Sequence, residues 1–108
     1  MSAISGSVLT NLSLVNCSAH NDIGVKYAKM GNLVHVYISV SGLTANSRVY
    51  IATLPSGCRP YMINLPFFGV GGNAYTNLVC GTITTTGAIY VQSTDTYANA
   101  YVCFIAAQ

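Results

Sequence analysis

The chain has 108 residues, of which 52% are apolar and only 6% are charged, and this balance predicts one folded domain spanning residues 1–108 rather than a disordered segment. The net charge of +2 comes from four scattered basic residues, too few for a surface that follows nucleic-acid phosphates, so no nucleic-acid partner is expected. Two carboxylates and two histidines leave little material for acid–base catalysis, and the composition therefore disfavours an enzyme.

The apolar residues do not form a membrane segment. The apolar run over residues 100–107 is far shorter than the roughly 18 residues that a transmembrane helix needs. The N-terminus lacks the basic and apolar regions of a signal peptide. We therefore expect no membrane insertion and no signal peptide. Twenty Ser or Thr and nine Asn give an uncharged polar surface, which favours association with a partner subunit.

Alternation of apolar and polar residues with a period of two dominates the chain and predicts β-strands. The predicted strands span residues 7–15, 23–28, 32–41, 48–54, 77–84, 88–92 and 100–106. Clusters of Gly, Asn, Ser and Pro between them are typical of turns. Seven or eight short strands predict an all-β fold, an antiparallel β-sandwich or jelly-roll-like domain. The alternation predicts core positions at Val34, Val36, Ile38, Val40, Ile89 and Val91.

The segment over residues 55–74 differs from the rest. It contains all three prolines and four of the ten glycines. Because proline is excluded from central strands, we expect a long crossover loop that ends in a short edge strand around Phe67 and Phe68.

The four cysteines are expected to be reduced thiols, because no signal peptide indicates an oxidising compartment. Cys80 and Cys103 lie in strand patterns and are expected in the core, whereas Cys58 interrupts a turn and is expected to be exposed. Cys17 and His20 have a spacing that zinc ligands use, but no second close pair follows, so no metal and no cofactor are expected.

Catalysis by a hydrolase would need the few acid–base groups to converge. The available combination is Asp22, Asp95 and His35, and we expect these three not to share a cleft. The chain is therefore predicted to be non-enzymatic.

The eight tyrosines are the more informative side chains, since the chain has no Trp and only three Phe. A tyrosine ring can cover the apolar face of a pyranose while neighbouring polar groups bind its hydroxyls. Polar and aromatic residues combine in this way in two turns, and the predicted saccharide-binding residues are Asn73, Tyr75, Asp95, Tyr97, Asn99 and, on an outer strand face, His35. The alternative is that many of the tyrosines are ordinary sheet residues or fill a subunit interface.

Three segments occur in a familiar order: residues 29–36 (KMGNLVHV), 51–60 (IATLPSGCRP) and 87–91 (GAIYV). Together they resemble the C-terminal head domains of tail-fibre, baseplate and receptor-binding proteins of tailed bacteriophages that infect Gram-positive bacteria. The likeness covers most of the chain from about Val25 onward, and the Leu-Pro-Ser-Gly-Cys-Arg-Pro turn is its most specific part. Cys58 departs from the family pattern, which has an aromatic residue there.

The resemblance implies a β-sandwich head that forms a homotrimer about a threefold axis, lies at the tail tip of the virion and adsorbs to host cell-wall saccharide. It also implies that the chain is the distal piece of a longer fibre, with residues 1–6 as a stalk remnant or an added start, and it transfers no binding residues. Two hypotheses follow: a saccharide-binding head, or a structural trimerisation or capping domain without a ligand of its own. Exposed Tyr, Asn and Asp clustered at one end or at a protomer interface would favour binding.

Overall fold

The computed structural model describes residues 9–72 and 77–107, and the regular elements in these ranges are all β-strands. The strands are β1 (Thr10–Asn11), β2 (Ser18–Met30), β3 (Leu33–Ser41), β4 (Val49–Thr53), β5 (Asn64–Val70), β6 (Leu78–Thr84), β7 (Ala88–Ser93) and β8 (Ala98–Ile105). The prediction of an all-β fold with seven or eight strands is confirmed. No helix capable of crossing a membrane occurs in the described ranges.

All eight strands belong to one antiparallel sheet, in the order β1-β2-β3-β8-β5-β6-β7-β4. The prediction of a sandwich implied two sheets, whereas here one sheet curls over a single core. The halves β1-β2-β3-β8 and β5-β6-β7-β4 are joined by only two residue pairs, Gly69 with Ala100 and Val70 with Asn99. This short joint lets the sheet bend sharply, so that both halves face the same interior.

The core lies on the concave face and is built from alternate strand residues. Directly opposite residues on neighbouring strands share a face, so Val34, Val36 and Ile38 of β3 point inward with Phe104, Val102 and Ala100 of β8. From the other half, β7 contributes Ile89 and Val91 to the same cluster. The six predicted core residues, Val34, Val36, Ile38, Val40, Ile89 and Val91, are at most 3% exposed, which confirms the prediction.

The segment that follows β1 covers the open side of the curled sheet. The Leu12 N–H donates to the Val25 carbonyl of β2 at 2.9 Å, and the Val15 N–H donates to the Ile51 carbonyl of β4 at 2.8 Å. These bonds tie together the two ends of the strand order. The prediction of a strand over residues 7–15 is therefore wrong for most of its described length, because the chain crosses the opening there and pairs as a strand only at Thr10–Asn11.

Strand β5 is longer than the short edge strand that was expected. It has seven residues and pairs with β6 along its whole length, whereas it pairs with β8 only at Gly69 and Val70. Pro66 lies in the part of β5 that has no ladder partner on the β8 side, which is where a strand tolerates a missing N–H.

The expected positions of three cysteines are wrong. Cys80 and Cys103 are exposed, because each occupies an outward-facing position between two inward-facing neighbours of its strand. Cys58 is buried in the core cluster, because the turn that starts at the Pro55 carbonyl directs it inward. All four thiols are free.

The most specific motif of the sequence, residues 54–60, forms a structural joint. Its Leu54 N–H donates to the Gly87 carbonyl, and the Arg59 Nε donates to the Leu54 carbonyl, both at 2.9 Å. A Cβ on Gly87 would lie 2.5 Å from the Leu54 carbonyl oxygen, so only glycine fits there. The motif therefore fastens the β4 end to the β6–β7 turn.

Candidate functional site

Two of the predicted site residues, Asp95 and Tyr97, line an open cavity at one end of the sheet, together with His20 and Gly72. The cavity has a volume of about 290 Å³. Tyr97 is 38% exposed, and its ring meets the His20 ring edge to face, with centroids 5.1 Å apart and planes at 70°. We call this region the Asp95 end.

A network of hydrogen bonds fixes the turn between β7 and β8. The Asp95 Oδ1 accepts from the Tyr97 N–H at 2.8 Å, and its Oδ2 accepts from Asn77 Nδ2 at 3.0 Å. The buried Ser93 hydroxyl donates to the Tyr97 carbonyl at 2.7 Å and accepts from the Asp95 N–H at 3.2 Å. The carboxylate therefore holds the backbone that carries Tyr97, and it keeps lone pairs for further donors.

Two glycines let the neighbouring chain approach this carboxylate. A Cβ on Gly71 would lie 2.8 Å from Asp95 Oδ1, and a Cβ on Gly72 would lie 3.0 Å from Oδ2. Gly72 also has a φ of +58°, which other residues rarely adopt. The floor of the cavity is thus rigid and closely packed around one negative charge.

The chemistry of the cavity suits a polyhydroxylated ligand. Tyr97 offers an exposed ring and a hydroxyl, while the His20 ring and the Asp95 carboxylate offer hydrogen-bond donors and acceptors. Among the described residues that line the cavity, Asp95 is the only carboxylic acid.

The other predicted site residues do not join this cavity in the described structure. Asn73 and Tyr75 lie outside the described residues. Asn99 lies on the outer face of β8, where its Oδ1 accepts from the Ser39 hydroxyl at 2.7 Å. His35 lies far from the cavity. Val40 pairs with Ala98 at the Asp95 end, and His35 is five residues along β3 from Val40, which corresponds to roughly 17 Å.

His35 instead belongs to a second aromatic group on the outer face of β3 and β8. Its Nδ1 lies 2.6 Å from the Tyr101 hydroxyl, and the rings of Tyr37 and Tyr101 have centroids 4.9 Å apart. The pKa of Tyr101 is raised above its ordinary value, chiefly by burial and further by a hydrogen bond to the Cys103 thiol and by the charges of Cys103 and Tyr37 when ionised. Tyr101 therefore stays protonated at neutral pH. Sequence reasoning missed this group because it depends on strand pairing.

Sequence reasoning also missed His20 as a partner of Tyr97. His20 reaches the cavity through an irregularity in β2, where the register shifts between Ala19 and Gly24. Asn21 and Asp22 there have φ values of +53° and +60°, in the left-handed region that Asn and Asp tolerate best. The adjacent Asn and Asp within a strand pattern were the available signal for this bulge.

The Asp95 end lies opposite the place where the chain enters the sheet. Thr10 pairs with Tyr27 and Asn11 with Lys26, so β1 enters from the side where β2 ends and β3 begins at Leu33. We call that side the Leu33 end. The cavity is therefore at the far end of the sheet from Thr10, where β1 begins.

A metal-binding arrangement is not found in the described structure. Within residues 9–72 and 77–107, no three His, Cys, Asp or Glu side chains come together as metal ligands, and this includes Cys17 and His20.

No protein-family model matches the chain, and no curated protein matches its sequence. Its fold, however, is similar to the crystal structure of the receptor-binding protein gp15 of Listeria phage PSA, with a TM-score of 0.63. The match covers 91% of this chain and 67% of that chain at 20% sequence identity. At this identity the likeness is one of fold, and at that level it confirms the resemblance that the three motif segments indicated.

Proposed function

We propose that the chain is a receptor-binding head of a tailed-phage adhesion device, which binds saccharide on the host cell surface as a homotrimer at the tail tip of the virion and catalyses no reaction. The observation that carries the proposal is the similarity of the whole fold to a phage receptor-binding protein. That similarity is independent of the cavity, and the two point to the same kind of function.

The Asp95 end supports saccharide as the ligand. A shallow cavity with an exposed tyrosine ring, an imidazole and a carboxylate matches the alternating apolar faces and hydroxyls of a sugar. Its position at the end of the sheet opposite the start of β1 suits a head whose tip meets the cell. Single sites of this kind bind weakly, and linking three or more copies raises the effective affinity by roughly 10²–10⁴.

The non-enzymatic part of the proposal is supported by the placement of the acid–base groups. His35 lies far along β3 from the Asp95 end, and both Asp95 oxygens already accept hydrogen bonds from the protein. A glycosidase would need a second carboxyl beside Asp95, and none lines the cavity among the described residues, where the imidazole of His20 packs edge to face on the Tyr97 ring.

The alternative function is a structural cap that trimerises and binds no ligand. The observation that favours it is the same hydrogen-bond network, because an Asp95 carboxylate that stabilises a turn has a role without any ligand. The two functions differ in what happens when the ring of Tyr97 is removed.

The test uses purified cell-wall fragments from a panel of Gram-positive bacteria and measures how much protein sediments with them. We expect binding that periodate oxidation of the wall abolishes and protease treatment of the wall preserves. Tyr97→Ala should lose most of this binding, and Tyr61→Ala is the matched control because Tyr61 is exposed at the Leu33 end. Binding that survives periodate, or a Tyr97→Ala variant that binds like wild type, would contradict the proposed site. A trimer that binds no wall in the panel would favour the cap.

A further inference from the structure

The outer face of β5, β6 and β7 is unusually apolar for a surface. Outward positions on these strands pair across the sheet, with Phe68 opposite Cys80 and Cys80 opposite Gln92. Phe68 is 74% exposed and Leu78 is 63% exposed. We call this surface the β5–β7 outer face, formed by Pro66, Phe68, Leu78, Cys80, Tyr90 and Gln92.

The Phe68 ring stands between two hollows on this face. One hollow has a volume of about 210 Å³ and the other about 280 Å³, and Phe68, Cys80 and Gln92 line both. An enclosed apolar cavity of roughly 150 Å³ is large enough to hold a benzene ring. Each hollow therefore has room for a phenyl ring like the one beside it, so the face carries both a projection and a recess that fits it.

The charge of this face does not oppose its meeting another copy of itself. Its only charged neighbour among the described residues is Arg48, whose guanidinium lies 4.0 Å from the centroid of the Tyr90 ring and donates to the Thr82 hydroxyl at 3.1 Å. A partner chosen by charge would find little to bind here, and an anionic lipid surface would find a single cation. A second copy is equally apolar, and the one charge that it brings is its own Arg48, which is already held against the Tyr90 ring.

The size of the face is that of a functional patch. Strand β5 has seven residues and the face spans three strands, which corresponds to about 24 Å by about 14 Å, or roughly 340 Å². Apolar patches of roughly 300–600 Å² on a monomer are often interaction sites.

We propose that copies of this chain contact one another through the β5–β7 outer face, with the Phe68 ring of each copy seated in a hollow of its neighbour. The inference rests on the homotrimer of the proposed function and names the surface that forms it. Around a threefold axis such a contact is heterologous: the Phe68 ring of each copy enters a hollow of the next, and the assembly closes at three copies because successive copies are related by a rotation of 120°.

The experiment compares two substitutions of equally exposed apolar residues in the full chain. Phe68→Asp places a charge on the proposed interface, whereas Ile63→Asp is the matched control, since Ile63 is 72% exposed and precedes β5 on the Leu33 side. Light scattering after size exclusion gives the mass, and circular dichroism with a thermal melt verifies that each variant is folded. We expect wild type and Ile63→Asp to be trimers and Phe68→Asp to be a folded monomer.

The reactivity of two exposed cysteines provides a second test of the interface. Cys80 lies on the proposed contact, while Cys103 is exposed on the outer face of the other half-sheet. Alkylation by iodoacetamide, followed by peptide mass spectrometry, should modify Cys80 about tenfold more slowly in wild type than in Phe68→Asp, because assembly restricts access to the thiol. The rate at Cys103 should be the same in both proteins.

The outcomes separate the interface from the function. A trimeric Phe68→Asp variant, an equal Cys80 rate in both proteins, or dissociation by Ile63→Asp instead would overturn the proposed surface while leaving the homotrimer and the wall-binding test intact. A monomeric wild type would overturn both the homotrimer and this interface, and the wall-binding assay would still decide saccharide recognition.

Discussion

The two halves of the curled sheet have matching inner faces and contrasting outer faces. Inside, Val36 of the first half and Ile89 of the second are both fully buried. Outside, the first half presents hydrogen-bonded polar and aromatic groups such as His35 and Tyr101, whereas the second half presents the exposed Phe68 ring. The folding requirement is therefore the same in both halves, and it does not account for the difference between their outer faces.

This comparison shows what strand alternation determines. Burial of one face fixes the register and selects Val and Ile at every second position. The remaining positions carry no such requirement, and a Phe exposed there contributes little to folding. Outer-face composition is thus informative about partners, and inner-face composition is informative about stability.

The largest expected effect tests whether the two inner faces form one core. Ile38→Ala in the first half and Ile89→Ala in the second should each lower the free energy of unfolding by about 2–5 kcal/mol, because each leaves a cavity in the shared cluster. Urea unfolding should show one transition in both variants. Ile105→Ala is the control: Ile105 is exposed on β8, and its truncation should change stability by less than about 0.5 kcal/mol. Two separate transitions, with only one shifted by each variant, would mean that the halves fold independently.

The joint between the halves gives the next effect. A Cβ on Gly69 would lie 2.1 Å from the Asn99 carbonyl oxygen and 2.8 Å from the Ala100 Cβ, so Gly69→Ala forces β5 and β8 apart. We expect a loss of about 3 kcal/mol in unfolding free energy, measured by thermal or urea denaturation. Gly31→Ala is the comparison: nothing lies within 4 Å of its Cβ position, and its φ of +61° costs only roughly 1 kcal/mol. Equal losses of unfolding free energy in the two variants would show that β8 shifts to accommodate the added methyl group and that β5 and β8 are not tightly packed at Gly69.

Much of the fold could be predicted from the sequence, because strand alternation is a local signal. The period of two identified Val34, Val36, Ile38 and Val40 as core, and the order of the motif segments indicated the fold. The same alternation places Cys103 on the outer face, since its neighbours Val102 and Phe104 point inward. The error in its predicted position came from weighing residue type above position.

The pairing order and most of the site could not be predicted, because they depend on contacts between distant segments. The single curled sheet depends on the pairing of β5 with β8, which nothing local specifies. The cavity needs His20 from β2 beside Tyr97, and only the bulge at Asn21 and Asp22 brings it there. The most specific motif, residues 54–60, proved to fasten the fold, which explains why the resemblance transferred no binding residue.

At the Asp95 end, a conservative substitution tests whether the hydrogen-bond network holds the turn. Asp95→Asn keeps the shape of the side chain but replaces one carboxylate oxygen with an N–H₂ donor. This donor faces either the Tyr97 N–H or the Asn77 amide N–H₂, so one of the two hydrogen bonds is lost. We expect about 1.5 kcal/mol less unfolding free energy, together with weaker wall binding, measured by urea unfolding and sedimentation. Asp22→Asn is the control, since Asp22 is exposed in a left-handed conformation that Asn also accepts, and it should change stability by less than about 0.5 kcal/mol. An equal effect of both variants would indicate that the loss of one negative charge, and not the loss of the turn, causes it.

The smallest expected effect concerns Cys17, which packs against the core near the opening of the curled sheet. Burial raises the pKa of its thiol above the ordinary value of 9.0. Below that pH the thiol is protonated in both the folded and the unfolded chain, so it adds no pH dependence. As the pH rises above 9.0, the unfolded chain loses this proton first, and the free energy of unfolding falls until the folded thiol also ionises. The stability difference between wild type and Cys17→Ala should therefore be constant below pH 9.0 and shift against wild type above it, as followed by urea unfolding at each pH. A difference that does not change with pH would mean that the thiol is as solvated in the folded protein as in the unfolded chain, and that the segment after β1 does not seal the opening.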